Sequence, residues 1–154
     1  RCLIFGSQLK DQWGGLMVST NTVFDAFIQT HRWAVLTHLK RGGAPASSMV
    51  AYAVEGNAIV VSTPGKTFKR RAMERDPRVN LCVINNREPF NFVSIEGTVT
   101  IETERLEDST RRVFENIAAV GYAVPENLGQ WLKASDRVIL RIAPKHFHGV
   151  IRSV

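Results

Sequence analysis

Alternation of apolar and polar residues is clearest from Phe92 to Glu102. Val93, Ile95, Gly97, Val99 and Ile101 fall on one side there, and Ser94, Glu96, Thr98, Thr100 and Glu102 on the other. That is the period-two signature of a half-buried strand. Shorter β-branched runs predict further strands at Trp33 to Lys40, Ala46 to Val54, Ala58 to Thr63 and Val79 to Asn85. Arg41-Gly42-Gly43-Ala44 and Glu55-Gly56-Asn57 read as tight turns between the first three, and Asn86 to Pro89 as a later turn. Arg137 to Ala143 and Phe147 to Ile151 read as two closing strands around Pro144.

Helical spacing replaces alternation in four places. Ser19, Thr20 and Asn21 offer caps for a short helix carrying Val23, Phe24, Phe27 and Ile28. A basic helix spans Thr67 to Arg75 and is closed by Asp76-Pro77, because proline disfavours helix at the preceding residue. A longer helix runs from Glu107 to Val120, with Leu106, Thr110, Val113, Phe114, Ile117 and Ala118 on one face and Gly121 at its end. Pro125 to Lys133 reads as a last short helix that starts on proline. Residues 1–18 show no clean period and are read as an N-terminal extension ahead of one domain, 19–154. Short strands, hairpin turns and peripheral helices predict an α+β, mainly β chain: an antiparallel barrel of six or seven strands.

Composition narrows the picture. The chain has 154 residues, 20 Lys+Arg against 14 Asp+Glu and a net charge of +6, which suits a single globular domain. No apolar run approaches the roughly 18 residues of a membrane-spanning helix, and Gln8, Lys10 and Asp11 interrupt the first apolar stretches, so no signal peptide is expected. Cys2 and Cys82 form neither a disulfide framework nor a metal-ligand spacing, which suits a reducing cytoplasm. The charge is concentrated. Between Lys66 and Arg78, six basic residues stand against Glu74 and Asp76, a net +4. Such a tract is a solvated helix face or an anion seat. Without interleaved aromatics it is no platform for nucleic acid.

The usual catalytic signatures are missing: no nucleophile elbow, no P-loop, no glycine-rich dinucleotide fingerprint and no Cys-x-x-Cys. His146 and His148 share a strand face but have no third ligand nearby, so no metal site is expected. Cys82, among Leu81, Val83 and Ile84, reads as a buried thiol. On a helical projection of about 100° per residue, Lys69 falls inside the arc of Phe68, Ala72 and Met73, while Arg70 and Glu74 point outward. An ammonium in an apolar arc is costly unless an anion meets it. Lys69 also lies in the first helical turn, where free backbone N–H groups favour an anion. Ser62, Thr63, Lys66 and Thr67 add donors just upstream, so this segment is read as a phosphate site.

The stretch IVVSTPGKTFKRRAMERDPRVNLCV followed by FNFVSIEGTVTIE, with WAVLTHLKRGGAPASSMVAYAVEGNAIVVS before it and RVILRIAPKHFHGV at the end, resembles the flavin and deazaflavin oxidoreductases of the split β-barrel, pyridoxamine-phosphate-oxidase-like superfamily. The resemblance covers roughly residues 20–150, and the short chain with its Arg-Asp-Pro-Arg run is most similar to the group that uses the deazaflavin coenzyme F420. It implies a homodimer of split barrels with cofactor sites at the dimer interface. Ser48, Met49, Val50 and Ala51 would line the ring, Ser62, Thr63, Lys66, Thr67 and Lys69 the phosphate region, and Asn91 and Phe92 would approach from the other subunit. The implied activity is hydride transfer between F420 and a small electron-poor organic substrate, without a protein nucleophile and with Tyr52, His38 or solvent as proton source. FMN in place of F420, or cofactor binding without catalysis, are the alternatives. Asn86 to Asn91 and Gly121 to Lys133, with Phe90, Tyr122 and Trp131, are the loops expected to frame the substrate. No nucleic acid or membrane partner is expected.

Overall fold

A computed structural model describes residues 17–153. The predicted N-terminal extension, apart from Met17 and Val18, and Cys2 lie outside the described residues. The chain runs α1 (Thr22–Thr30), β1 (Trp33–Leu39), β2 (Pro45–Ala51), β3 (Ala53–Glu55), β4 (Ala58–Pro64), α2 (Phe68–Arg75), β5 (Arg78–Ile84), β6 (Phe92–Glu102), α3 (Glu107–Ile117), a 3₁₀ turn (Ala118–Val120), α4 (Leu128–Ala134) and β7 (Arg137–Val150). The seven strands form one antiparallel sheet in the order β2-β1-β5-β6-β7-β4-β3.

The sheet is mainly the predicted one, curled into a half-barrel. Its closure depends on a break the sequence does not announce. The run predicted as one strand, Ala46 to Val54, is two: β2 and β3 occupy opposite edges of the sheet, with only Tyr52 between them. Tyr52 leaves both ladders because other groups claim it. Its N–H donates to the Arg32 carbonyl, its hydroxyl donates to the Ile28 carbonyl, and its own carbonyl accepts from Asn116 Nδ2 at 2.8 Å. The two edges therefore meet, and β2 lies against β4. Because β3 pairs only with Ala58 to Val60, the rest of β4 presents a free edge toward β2. This gap is the split in the barrel.

The core fills the barrel. Leu36, Val61, Leu81, Ile95 and Leu140 are fully buried, each contributing about 1.5–3 kcal/mol of apolar burial. Helix α1 enters through Phe27 and Ile28, while Val23, predicted on the same face, is 54% exposed. Asn21 starts that helix by accepting from the N–H groups of Val23 and Phe24. Helix α2 plugs the core with Ala72 and Met73. A second cluster (Val60, Val113, Leu132 and Ile139) glues α3 and α4 to the outside of β4 and β7.

Three boundaries differ from the expected ones. The long helix tightens into a 3₁₀ turn before Gly121, whose φ of 97° suits glycine. The last helix starts after Asn127, whose side chain accepts from Gln130 N–H, and not at Pro125. The two closing strands are a single β7 that absorbs Pro144 at a register shift opposite Glu96 and Gly97. Proline is tolerated there because β4 pairs only as far as Ile142, so the missing N–H faces no partner strand.

Candidate functional site

Strand β4 ends at Pro64, and the chain turns through Gly65, Lys66 and Thr67 into α2. Gly65 is buried against the start of β7: a Cβ there would lie 2.7 Å from the Asp136 carbonyl oxygen, so only glycine lets this turn sit so low. Thr67 is the N-cap. Its hydroxyl oxygen accepts from Arg70 N–H at 3.3 Å, so its first use is structural. Lys66 is exposed.

Lys69 is half-buried, as the helical projection expects, and its Nζ donates to Ser48 Oγ at 3.3 Å across the split. The two acids of the basic tract are taken by other partners. Glu74 pairs with Arg70 at 2.8 Å and Asp76 with Arg78 at 2.7 Å. Among the described residues, Lys69 is thus left with a neutral hydroxyl and no carboxylate. Burial, and then the charge of Arg137, hold its ammonium below the ordinary lysine value. The first turn of α2 holds no acidic residue, so its free N–H groups and positive dipole end stay unneutralised.

Register sorts the other predicted residues onto two sides of the split. Ser48 pairs with Leu36 and Val50 with Ala34, so both face the barrel interior, as does buried Thr63 opposite Val138. Met49, 57% exposed, and half-buried Ala51 face outward. So does Ser62, which lies opposite Ile139 and whose buried Oγ has no hydrogen-bond partner. Asn91 and Phe92 are not brought to this place within one chain. They sit at the Ile84 end of β5, the far end from α2, where Asn91 exchanges hydrogen bonds with the backbone of Arg152.

Two further groups flank the site. Buried His38 packs its ring 6.0 Å from that of Phe68, and neither ring nitrogen has a hydrogen-bond partner. Burial, and then Lys69, hold its imidazole below the ordinary value. Arg137 pairs with Pro64 in the β4–β7 ladder, and its guanidinium lies 4.6 Å above the Trp131 ring. Sequence reasoning missed Arg137: its signal was a lone cation opening a strand, and its place beside the site depends on the register of β7. Tyr52 is no proton source, because its buried hydroxyl donates to Ile28 and burial pushes its phenol far above the usual range. Trp131 packs edge-on against Phe114 and Tyr122 against Trp33, while Phe90 lines a surface groove with Arg152. Cys82 is half-buried on the outer sheet face, its thiol pushed up by burial. Among the described residues, no cluster of three or more metal-ligating side chains forms, and no helix is long and apolar enough to cross a membrane.

Comparison with known proteins agrees with this architecture. The family described as pyridoxamine 5'-phosphate oxidase matches residues 21–151. No curated protein matches the chain. Among solved structures, a conserved hypothetical protein from Mycobacterium tuberculosis superimposes with a TM-score of 0.70 at 24% identity, over 88% of this chain and 86% of that one. A structure described as an F420 reductase has a TM-score of 0.66 at 18% identity, over 81% of this chain and 95% of that one. A FAD-binding protein from Mesorhizobium loti has a TM-score of 0.63 at 16% identity, over 85% and 94%. At these identities the likeness speaks for the fold.

Proposed function

The chain belongs to the pyridoxamine 5'-phosphate oxidase family, and from that premise we propose an oxidoreductase that holds a phosphorylated redox cofactor along the split between β2 and β4. The cofactor is the deazaflavin coenzyme F420, and the reaction is hydride transfer to or from a small electron-poor organic substrate. The observation that carries this reading is Lys69, a half-buried ammonium that reaches Ser48 across the split and has no carboxylate partner. A phosphate set against Lys69, the Ser48 hydroxyl and the first-turn N–H groups of α2 would neutralise it.

The residues present fit such a group. The Ser62 hydroxyl is buried without a partner, and β2 and β4 both leave backbone edges free. When bound, the deazaflavin ring supplies the hydride chemistry itself. The chain's own work is to clamp the phosphate at Lys69, to lay Met49 and Ala51 along the cofactor groove, and to keep charged side chains off its floor. The active form is a homodimer. Met49, Val35, Cys82 and Ser94 lie in one cross-strand row on the outer sheet face. A second copy on that face would carry Asn91 and Phe92 toward the split of its partner.

Titration of the purified protein with F420 and with FMN, followed by cofactor fluorescence, tests the reading. Saturable binding is expected, weakened about tenfold or more in Lys69→Gln through loss of a charge-assisted contact. Absence of binding to either compound, or binding unaffected by that substitution, would overturn it. FMN is the second reading, since its single phosphate would fit the same seat at Lys69; protein that is yellow as purified selects it. Stoichiometric binding without turnover on a broad panel of acceptors would leave a carrier and not an enzyme.

A further inference from the structure

Beside the split, on the outer side of the sheet, stands a second set of unsatisfied donors. Ser62 and Arg137 share the outer face of the β4–β7 pair with Val60 and Ile139, whereas Ser48, the partner of Lys69, faces the barrel interior. Ser62 Oγ and Arg137 Nε are both buried with no hydrogen-bond partner. The guanidinium carbon lies over the Trp131 ring, 4.6 Å from its centroid, a cation–π contact that ties the side chain down. Among the described residues, no carboxylate pairs with it. The neighbouring Asp136 side chain turns instead toward Gly65, where its Oδ2 would lie 3.1 Å from an added Cβ. Arg137 also borders a groove of about 770 Å³ whose lining mixes Glu104, Glu107, Asp108 and Asp136 with Arg105 and Lys133. Arg137 and Lys69 are close enough for the Arg137 charge to help depress the Lys69 ammonium.

We infer that Arg137, clamped on Trp131 and aided by Ser62, is a second oxyanion seat, which takes a carboxylate or phosphate oxygen of the bound molecule other than the phosphate held at Lys69. Two seats on opposite sides of the split select a cofactor that carries two separated anionic groups over one that carries a single phosphate. Fork-like guanidinium geometry suits a bidentate contact, which an ammonium would not reproduce. The inference rests on the reading of the split as the cofactor groove, yet the seat itself is open to a separate test.

The experiment uses the full chain and the variants Arg137→Gln, Arg137→Lys and Lys69→Gln, with each Arg137 substitution also combined with Lys69→Gln, every one checked for an unchanged melting temperature. Inorganic phosphate is titrated first, read by tryptophan fluorescence. Because the Lys69 site would itself take phosphate, a saturable change is expected in the parent and in Lys69→Gln, a weaker one in Lys69→Gln/Arg137→Lys, and none in Lys69→Gln/Arg137→Gln. F420 and FMN are titrated next. Arg137→Gln should weaken F420 by about tenfold or more and FMN by less than about threefold, while Lys69→Gln should weaken both. A phosphate response that survives in Lys69→Gln/Arg137→Gln overturns the seat, and so does an equal loss for the two cofactors. If neither cofactor binds the parent protein, the proposed function falls and the phosphate titration alone decides the seat.

Discussion

His38 is 3% exposed, and neither of its ring nitrogens meets a partner. Its imidazole faces Phe68 and lies within range of the Lys69 charge, and it is held below the ordinary value of 6.5, first by burial and then by Lys69. The sign of the pH effect follows. In the window below 6.5 the unfolded chain binds a proton that the folded chain refuses, so His38 makes folding less favourable as pH falls through that window. Thermal melts at about pH 7 and pH 5.5 should therefore differ more in the parent than in His38→Phe. Equal pH dependence in the two would show that His38 does not titrate on unfolding. Of the individual residues, Lys69 was legible in advance, because its half-burial follows from the angular spacing of a single helix. His38 and Arg137 were not, since what surrounds them comes from other elements: α2 for the first, β4 and α4 for the second.

Among the elements, the β4–α2 turn carries the site. Gly65 is its tightest point, with a hypothetical Cβ 2.7 Å from the Asp136 carbonyl oxygen and 3.3 Å from Val138 Cγ1. The first of these neighbours is backbone and cannot swing aside. Gly65→Ala should therefore cost about 1–3 kcal/mol, read as a lowered midpoint of denaturant unfolding, and should weaken cofactor binding by lifting the start of α2. A variant as stable as the parent would mean that the turn relaxes freely. Strand β6 was found from residue to residue because its alternation comes from its own side chains. The break at Tyr52 was hidden, because the groups that extract it lie at Ile28, Arg32 and Asn116. Similarly, Pro144 suggested two strands, and only the absence of β4 beside it allows one.

For the whole molecule, the outer sheet face is the open question of assembly. Met49 is 57% exposed in a row with Val35, Cys82 and Ser94. If two copies meet there, burying the 1,200–2,000 Å² or so of a stable interface, a charge at Met49 should split them. Light scattering is expected to give a dimer for the parent and a monomer for Met49→Glu, with cofactor affinity lost in parallel. A dimer that persists would move the interface elsewhere. The opposite flank is locked within the chain. Arg141 of β7 bonds Glu102 of β6 at 2.6 Å and Glu55 of β3 at 2.9 Å, and Ser109 of α3 donates to Glu55 at 2.9 Å. Burial pushes the Glu55 carboxyl up, but the hydrogen bonds of Arg141 and Ser109 and the charges of Arg141 and Arg112 outweigh it and hold it below the usual value. That flank is fitted to stabilise the fold, which leaves the split to bind.

From the order of residues alone came the mainly β architecture, the helix read as Thr67 to Arg75 and the concentration of positive charge around it. These depend on interactions between near neighbours: alternation along a strand, 3.6-residue spacing along a helix, a cap, a proline. Tertiary structure decided which charges remain unpaired. Glu74 and Asp76 are consumed by Arg70 and Arg78, so Lys69 is left facing Ser48, and a guanidinium some seventy residues away arrives beside it through the register of β7. Closure of a sheet and register between distant strands are set by contacts of long sequence separation. The split, and the two donor sets on either side of it, exist only once those contacts have formed.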